Sequence, residues 1–152
     1  MKRHTALLAQ IFIVLWGVAT LAFLLGEPHL EGRNAHATTF QIYFHDPFLA
    51  YVYVGSLPFF VALHRAFRLF GEVRRSGAFS SATVDALRTI QRCALILLGF
   101  VAGGVIIIFL SGDPDDRPAG FFLALLVASA TSAVAAASSR FARHLQRALA
   151  DR

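Results

Sequence analysis

The sequence predicts an all-α integral membrane protein. It reads as a single domain over 1–152, a four-helix bundle with both termini in the cytoplasm and a helical extension on the cytoplasmic side ahead of the third span. Three observations carry that expectation. Of the 152 residues, 57% are hydrophobic and 15% charged, whereas an ordinary soluble domain is about one quarter charged. The apolar residues also gather into four runs, about 5–26, 48–70, 93–111 and 119–139. Each is near the roughly 20 helical residues that cross a hydrocarbon core of about 30 Å. The runs are apolar all round, which suits lipid, and in lipid a lone segment must be helical because an open strand leaves its backbone unpaired. Finally, the basic residues are split unevenly. Lys2, Arg3, Arg65, Arg68, Arg74, Arg75, Arg88, Arg92, Arg140, Arg143, Arg147 and Arg152 fall on the side of the termini and the loop 71–92. Only Arg33 and Arg117 fall with the segments 27–47 and 112–118. Lys and Arg resist translocation, so the rich side is expected to be cytoplasmic, with the protein multi-pass in the inner membrane. The formal net charge of +5 is then explained by attraction to anionic lipid of the inner leaflet. No direct contact with nucleic acid is needed.

The first span, "TALLAQIFIVLWGVATLAFLLG", follows a basic start, and "AHA" at 35–37 looks like a cleavage site. The apolar region of a signal peptide is only about 7–15 residues and sits close to its site. This run is longer and a polar segment intervenes, so it is expected to span. Trp16 lies mid-span and is expected to pack within the bundle. In the outer segment, "TFQIYFHDPF" is rich in β-branched and aromatic residues and reads as a short extended piece or an interfacial aromatic belt. His29, His36 and His45 lie in this segment with Asp46. Imidazole suits zinc and copper, but the tight spacing of a ligand set is missing. They read as loop histidines, and no metal or cofactor is expected.

The second span contains "GSLPFF". Pro58 has no N–H and is expected to bend the helix near Val54. His64, Arg65 and Arg68 follow and can snorkel to the inner surface. "EVRRSG" ends the helix, with Arg74 and Arg75 at its negative end and Gly77 as the stop. This basic pair is also expected to meet anionic lipid. Ser80 or Ser81 is the natural N-cap of the next helix. From there no breaker interrupts the chain up to Leu110, which predicts one helix of about 45 Å. Its first turns would stand in the cytoplasm. Val84 and Leu87 share one face of that protrusion, while Asp85, Arg88 and Arg92 lie on another. Val84, Leu87 and Arg88 are the expected partner-binding residues. Cys93, the only cysteine, follows near the inner interface.

In the third span, "GFVAG" places Gly99 and Gly103 on one face, and the fourth span carries Ala128 and Ser132 at the same spacing. Such small-xxx-small pairs permit close backbone approach. They are expected to pack the two helices together or, alternatively, to form a homodimer face. The connecting "GDPDDRP" is short and acidic. Asp113, Asp115 and Asp116 could hold calcium through oxygen, but a solvated turn is the simpler reading. In the tail, Phe141, Leu145 and Leu149 recur at four-residue steps, with Arg140, Arg143 and Arg147 elsewhere. This pattern predicts a basic amphipathic helix lying on the inner leaflet.

The stretch "LPFFVALHRAFRLFGEVRRSGAFSSATVDALRTIQRCA", with "DDRPAG" after the third span, resembles the small bacterial membrane proteins catalogued as domain of unknown function 2975. The likeness runs from about Gly55 to Arg147. It implies four spans and no catalytic residues. It also implies genomic company, because such proteins are often encoded beside a very small helix-turn-helix regulator. This chain departs from the commoner Lys- and Asn-rich members in being rich in Arg and Ala, and the likeness does not clearly cover the first span and outer segment.

The expected function is therefore interaction or regulation: a membrane protein binding a small cytoplasmic partner, with a helix-turn-helix regulator as the candidate. Such a regulator is usually basic itself, so its contact would be apolar or through an acidic face. The alternative is a small transporter or channel subunit. Ion coupling usually places ionisable residues inside the spans, and the middle of every span here lacks them. No phosphate loop, paired-cysteine zinc pattern or nucleophile elbow occurs, so no enzyme is expected.

Overall fold

A computed structural model describes residues 3–30, 36, 38, 40–41, 47–77, 79–111 and 117–151. Four helices account for nearly all of them: α1 (Arg3–Leu30), α2 (Pro47–Ser76), α3 (Ser81–Ser111) and α4 (Arg117–Ala150). All four are long and apolar enough to cross a membrane, and no strand occurs among the described residues. Three of them, α2, α3 and α4, outrun their apolar stretches at one end, where the α2–α3 turn lies beside the start of α1 and the end of α4. There α3, at 31 residues, is the single rod the sequence predicts, about 46 Å long.

Neighbours in sequence are neighbours in space. α1 packs on α2, α2 on α3, and α3 most extensively on α4. Among the described residues no extensive contact joins α1 to α4. Close approaches set the antiparallel registers. A Cβ on Gly17 would stand 3.2 Å from Leu63 Cδ1 across the α1–α2 contact, and one on Gly120 would stand 3.0 Å from Ile108 Cδ1 across the α3–α4 contact. At the α2–α3 contact, Gly55 lies under the Phe100 ring, where a Cβ would come within 2.9 Å.

Two tyrosines of α2 tie its neighbours at the other end. Tyr51 Oη donates to the Phe100 carbonyl of α3 at 2.8 Å, and Tyr53 Oη donates to the Leu24 carbonyl of α1 at 3.0 Å. Residues two apart point to nearly opposite sides of a helix, so one short stretch serves both. The second bond has a specific cause. Pro28 lies inside α1 and cannot donate to the carbonyl four residues back, which is that of Leu24. The Tyr53 hydroxyl supplies the missing donor. α2 likewise runs through Pro58 as one helix from Pro47 to Ser76.

Burial is uneven along the rods. In the spanning portions large apolar side chains face outward: Phe12 is 64% exposed and Leu110 73%. Lipid drives no hydrophobic collapse, so an outward Leu or Phe costs nothing there. Trp16 belongs to this set. Against the expectation of packing, it is 54% exposed and, among the described residues, stacks only on Phe12 of its own helix, with ring centroids 5.9 Å apart. Facing lipid satisfies its apolar ring equally well.

In the outer segment, Phe40 and Gln41 are helical rather than extended. Thr38 and Gln41 bond reciprocally: the Thr38 N–H donates to Gln41 Oε1 at 2.9 Å, and the Gln41 N–H donates to Thr38 Oγ1 at 3.3 Å. This is a capping box. The histidine cluster cannot be assembled, because His45 and Asp46 lie outside the described residues. His29 Nδ1 is engaged 3.2 Å from the Leu25 carbonyl, and His36 is exposed. Asp113, Asp115 and Asp116 also lie outside the described residues. Arg117, beside them, sits over the Phe109 ring at 5.9 Å, close enough for a cation–π contact between the ends of α3 and α4.

Candidate functional site: the arginine-rich end

Where α2, α3 and α4 emerge from their apolar stretches, a compact core forms from Leu69 and Val73 of α2, Val84 and Leu87 of α3, and Ala142 and Leu145 of α4. Spacings of three and four put each pair on one helix face. Phe79, from the α2–α3 turn, closes the core edge-on to Phe141, with centroids 5.4 Å apart at 84°. The turn itself is tightly specified. Gly77 has φ +71°, and its N–H bonds to the Val73 carbonyl at 2.9 Å. This is the left-handed cap that glycine adopts without strain. Ser80 then caps α3. Its carbonyl accepts the Thr83 N–H at 3.0 Å, while Thr83 Oγ1 reaches back to the Ser80 N–H at 3.2 Å. The Ser80 hydroxyl turns instead to Glu72 of α2, at 3.3 Å.

This core corrects two expectations. Val84 is 5% exposed and Leu87 8%, so neither is offered to a partner. The face they share packs against α2 and α4, because water at this end rewards burial as lipid does not. Of the three expected partner residues only Arg88 is exposed, alongside Asp85 and Arg92. The tail is likewise no free amphipathic helix. Leu145 is buried in the core with Leu149 packed against it, and Phe141 meets Phe79 while staying 41% exposed, so most of the apolar stripe is already occupied. Arg140, Arg143 and Arg147 remain exposed on the far side, with Arg143 Nη2 3.4 Å from Ser139 Oγ.

The glycine face is also corrected. Gly103 does pack closely, but against Tyr51 of α2 rather than against α4, and Gly99 has open space around it. On α4 the inward stripe is Thr131, Ala135 and Ser138, whereas Ser132 is exposed and Ala128 half-buried. Gly99 and Ser132 thus lie off the contact between α3 and α4. Small residues are so frequent in α4 that spacing alone selects several faces at once.

A groove of about 990 Å³ opens beside the core, between the first turns of α1, the end of α2 and the start of α3. Arg65, Arg68, Arg74 and Arg75 line it with Glu72 and Asp85. Arg65, Arg68 and Arg75 are exposed and Arg74 is half-buried. The wall from α1 is held by Gln10, a residue the sequence reading passed over. Gln10 is 6% exposed and donates through Nε2 to the Phe67 carbonyl at 3.1 Å. It lies over Gly71, where a Cβ would stand 2.9 Å from that nitrogen. An amide within an apolar run was the available signal, since a buried polar group in a span must find a partner. Cys93 is buried and free.

Comparison with known proteins agrees with a membrane protein and goes no further toward an activity. The sequence pattern of a family described as "Protein of unknown function (DUF2975)" matches residues 29–151. A curated relative, "Uncharacterized membrane protein YoaS" of Bacillus subtilis (strain 168), is 30% identical over 152 residues, covering 99% of this chain and 92% of its own. No solved structure matches.

Proposed function

The chain belongs to the DUF2975 family of membrane proteins of unknown function, and from that premise we propose that it is an interaction protein of the cytoplasmic membrane. Its arginine-rich end faces inward and serves as a rigid platform for a small cytoplasmic partner. The supporting observation is the packed core of Leu69, Val73, Val84, Leu87, Ala142 and Leu145. It holds three helix ends in fixed relation and turns Arg88, Arg92, Arg140, Arg143 and Arg147 outward. A platform of that chemistry selects an acidic surface. Guanidinium groups bind carboxylates bidentately, and rim charges of one sign steer encounter. A helix-turn-helix regulator fits this description only through an acidic face turned away from its own nucleic acid.

The test is photocrosslinking in living cells from a reactive residue at Arg88, with a second at Leu123, an exposed position in the apolar stretch of α4, as control. A discrete soluble-protein adduct from Arg88 alone, weakened by Arg92→Glu, supports the reading. Equal adducts from both positions, or an adduct indifferent to Arg92→Glu, would remove it.

A further inference from the structure

The groove beside the core combines two features at one depth. Arg65, Arg68, Glu72 and Arg75 follow one another along α2 at steps of three, four and three, which aligns them on one face. The register of α1 against α2 sets their level. Gly17 meets Leu63 and Gln10 meets Phe67, so Arg65 and Arg68 lie alongside residues of about 10–14 of α1. From Thr5 onward α1 carries no charge until Glu27. Two guanidinium groups therefore stand beside an apolar wall in which Val14 is 49% and Leu15 64% exposed.

Charge at such a depth is costly unless it is paired or reaches the interface. Among the described residues neither Arg65 nor Arg68 has a hydrogen bond or ion pair within the protein. The groove carries four guanidinium groups and two carboxylates, and one carboxylate, Glu72, is already engaged with Ser80. Positive charge is thus in surplus in the groove, beside the apolar wall that α1 provides.

We propose that this groove is a binding site for one anionic phospholipid. The phosphate sits between Arg65, Arg68 and Arg75, and an acyl chain runs along Ile11, Val14 and Leu15. Arginine supplies paired N–H donors matched to phosphate oxygens. The apolar wall selects a lipid over a free phosphate, because a headgroup alone leaves that wall uncovered. Arg88 does not line the groove, and occupancy of the site requires neither the proposed partner nor the inward orientation.

The test uses the purified full chain in detergent, with phosphatidylglycerol or phosphatidylcholine added and retained lipid counted by native mass spectrometry. The expected result is one phosphatidylglycerol held preferentially, not displaced by excess glycerol phosphate. Arg65→Gln with Arg68→Gln should weaken retention by about tenfold or more. Arg33→Gln with Arg117→Gln makes the same change in net charge, three residues past the end of α1 and at the start of α4, and should leave retention unaltered. Equal retention of both lipids, equal loss in both double variants, or displacement by glycerol phosphate would each overturn the proposal. A photoreactive phosphatidylglycerol on the unaltered protein guards against a misfolded variant. Its adducts should map to residues 7–15 and 65–76, and adducts spread evenly over the four spans would overturn it as well.

Discussion

Leu87 and Arg88 are adjacent in sequence and opposite in role. Leu87 lies in the core shared by three helices, and Arg88 faces out from it. Leu87→Ala is expected to cost about 2–5 kcal/mol, the usual range for a buried leucine. Arg88→Gln should stay within about 0.5 kcal/mol of the parent protein. Thermal unfolding in detergent compares the two, and an unaffected Leu87→Ala protein would mean that the core is wrongly placed. A parallel contrast separates the glycines. Gly103→Leu should strike Tyr51, whereas Gly99→Leu enters open space, so only the first should lower the unfolding temperature. Sequence periodicity put Val84 with Leu87, and Gly99 with Gly103, on common faces. It did not reveal what those faces meet, since that depends on the rotation of α2 and α4 about their own axes. Gln10 escaped notice for the same reason: its meaning lies in Phe67 and Gly71 of another helix.

The helices themselves were legible because each declares its own solvent and its own ends. Apolar run length marks the spans, and Gly77 with Ser80 marks the turn between α2 and α3. Gly77→Ala should destabilise by about 1–2 kcal/mol, since a Cβ resists the left-handed conformation. Unfolding in detergent would show it, and a neutral result would mean the turn readily adopts another shape. The same kind of local signal, Thr-x-x-Gln at 38–41, was present for the capping box but was outweighed by β-branched and aromatic neighbours. α1 and α2 provide a sharper test of how elements complete one another. Tyr53→Phe should cost on the order of 1 kcal/mol, because the Leu24 carbonyl loses the donor that Pro28 cannot supply. In a Pro28→Ala background that carbonyl regains a backbone N–H, so the same substitution should cost markedly less. A double-mutant cycle reads the difference, and strict additivity would break the proposed link.

At the scale of the whole chain, the uneven distribution of arginine predicts that reporter fusions after Asp46 and at Arg152 report opposite sides, with the C-terminus in the cytoplasm. An external C-terminus would reverse the orientation while leaving the fold intact. The four-span plan was legible throughout, because hydropathy is a property of single segments. The order of packing was not, and it bears on how the chain is made. Since every helix after the first packs on the one before it, every span can dock as soon as it follows its predecessor into the bilayer. The apolar core at the arginine-rich end is the exception. Leu69, Val73, Val84 and Leu87 are in place once α3 is synthesised, but Ala142 and Leu145 arrive only near the end of α4. Until then an apolar patch faces water, and it closes only when the last turns of α4 arrive. A chain cut short after the third span would keep that patch open, carrying a ready mark by which proteases could tell it from the finished protein.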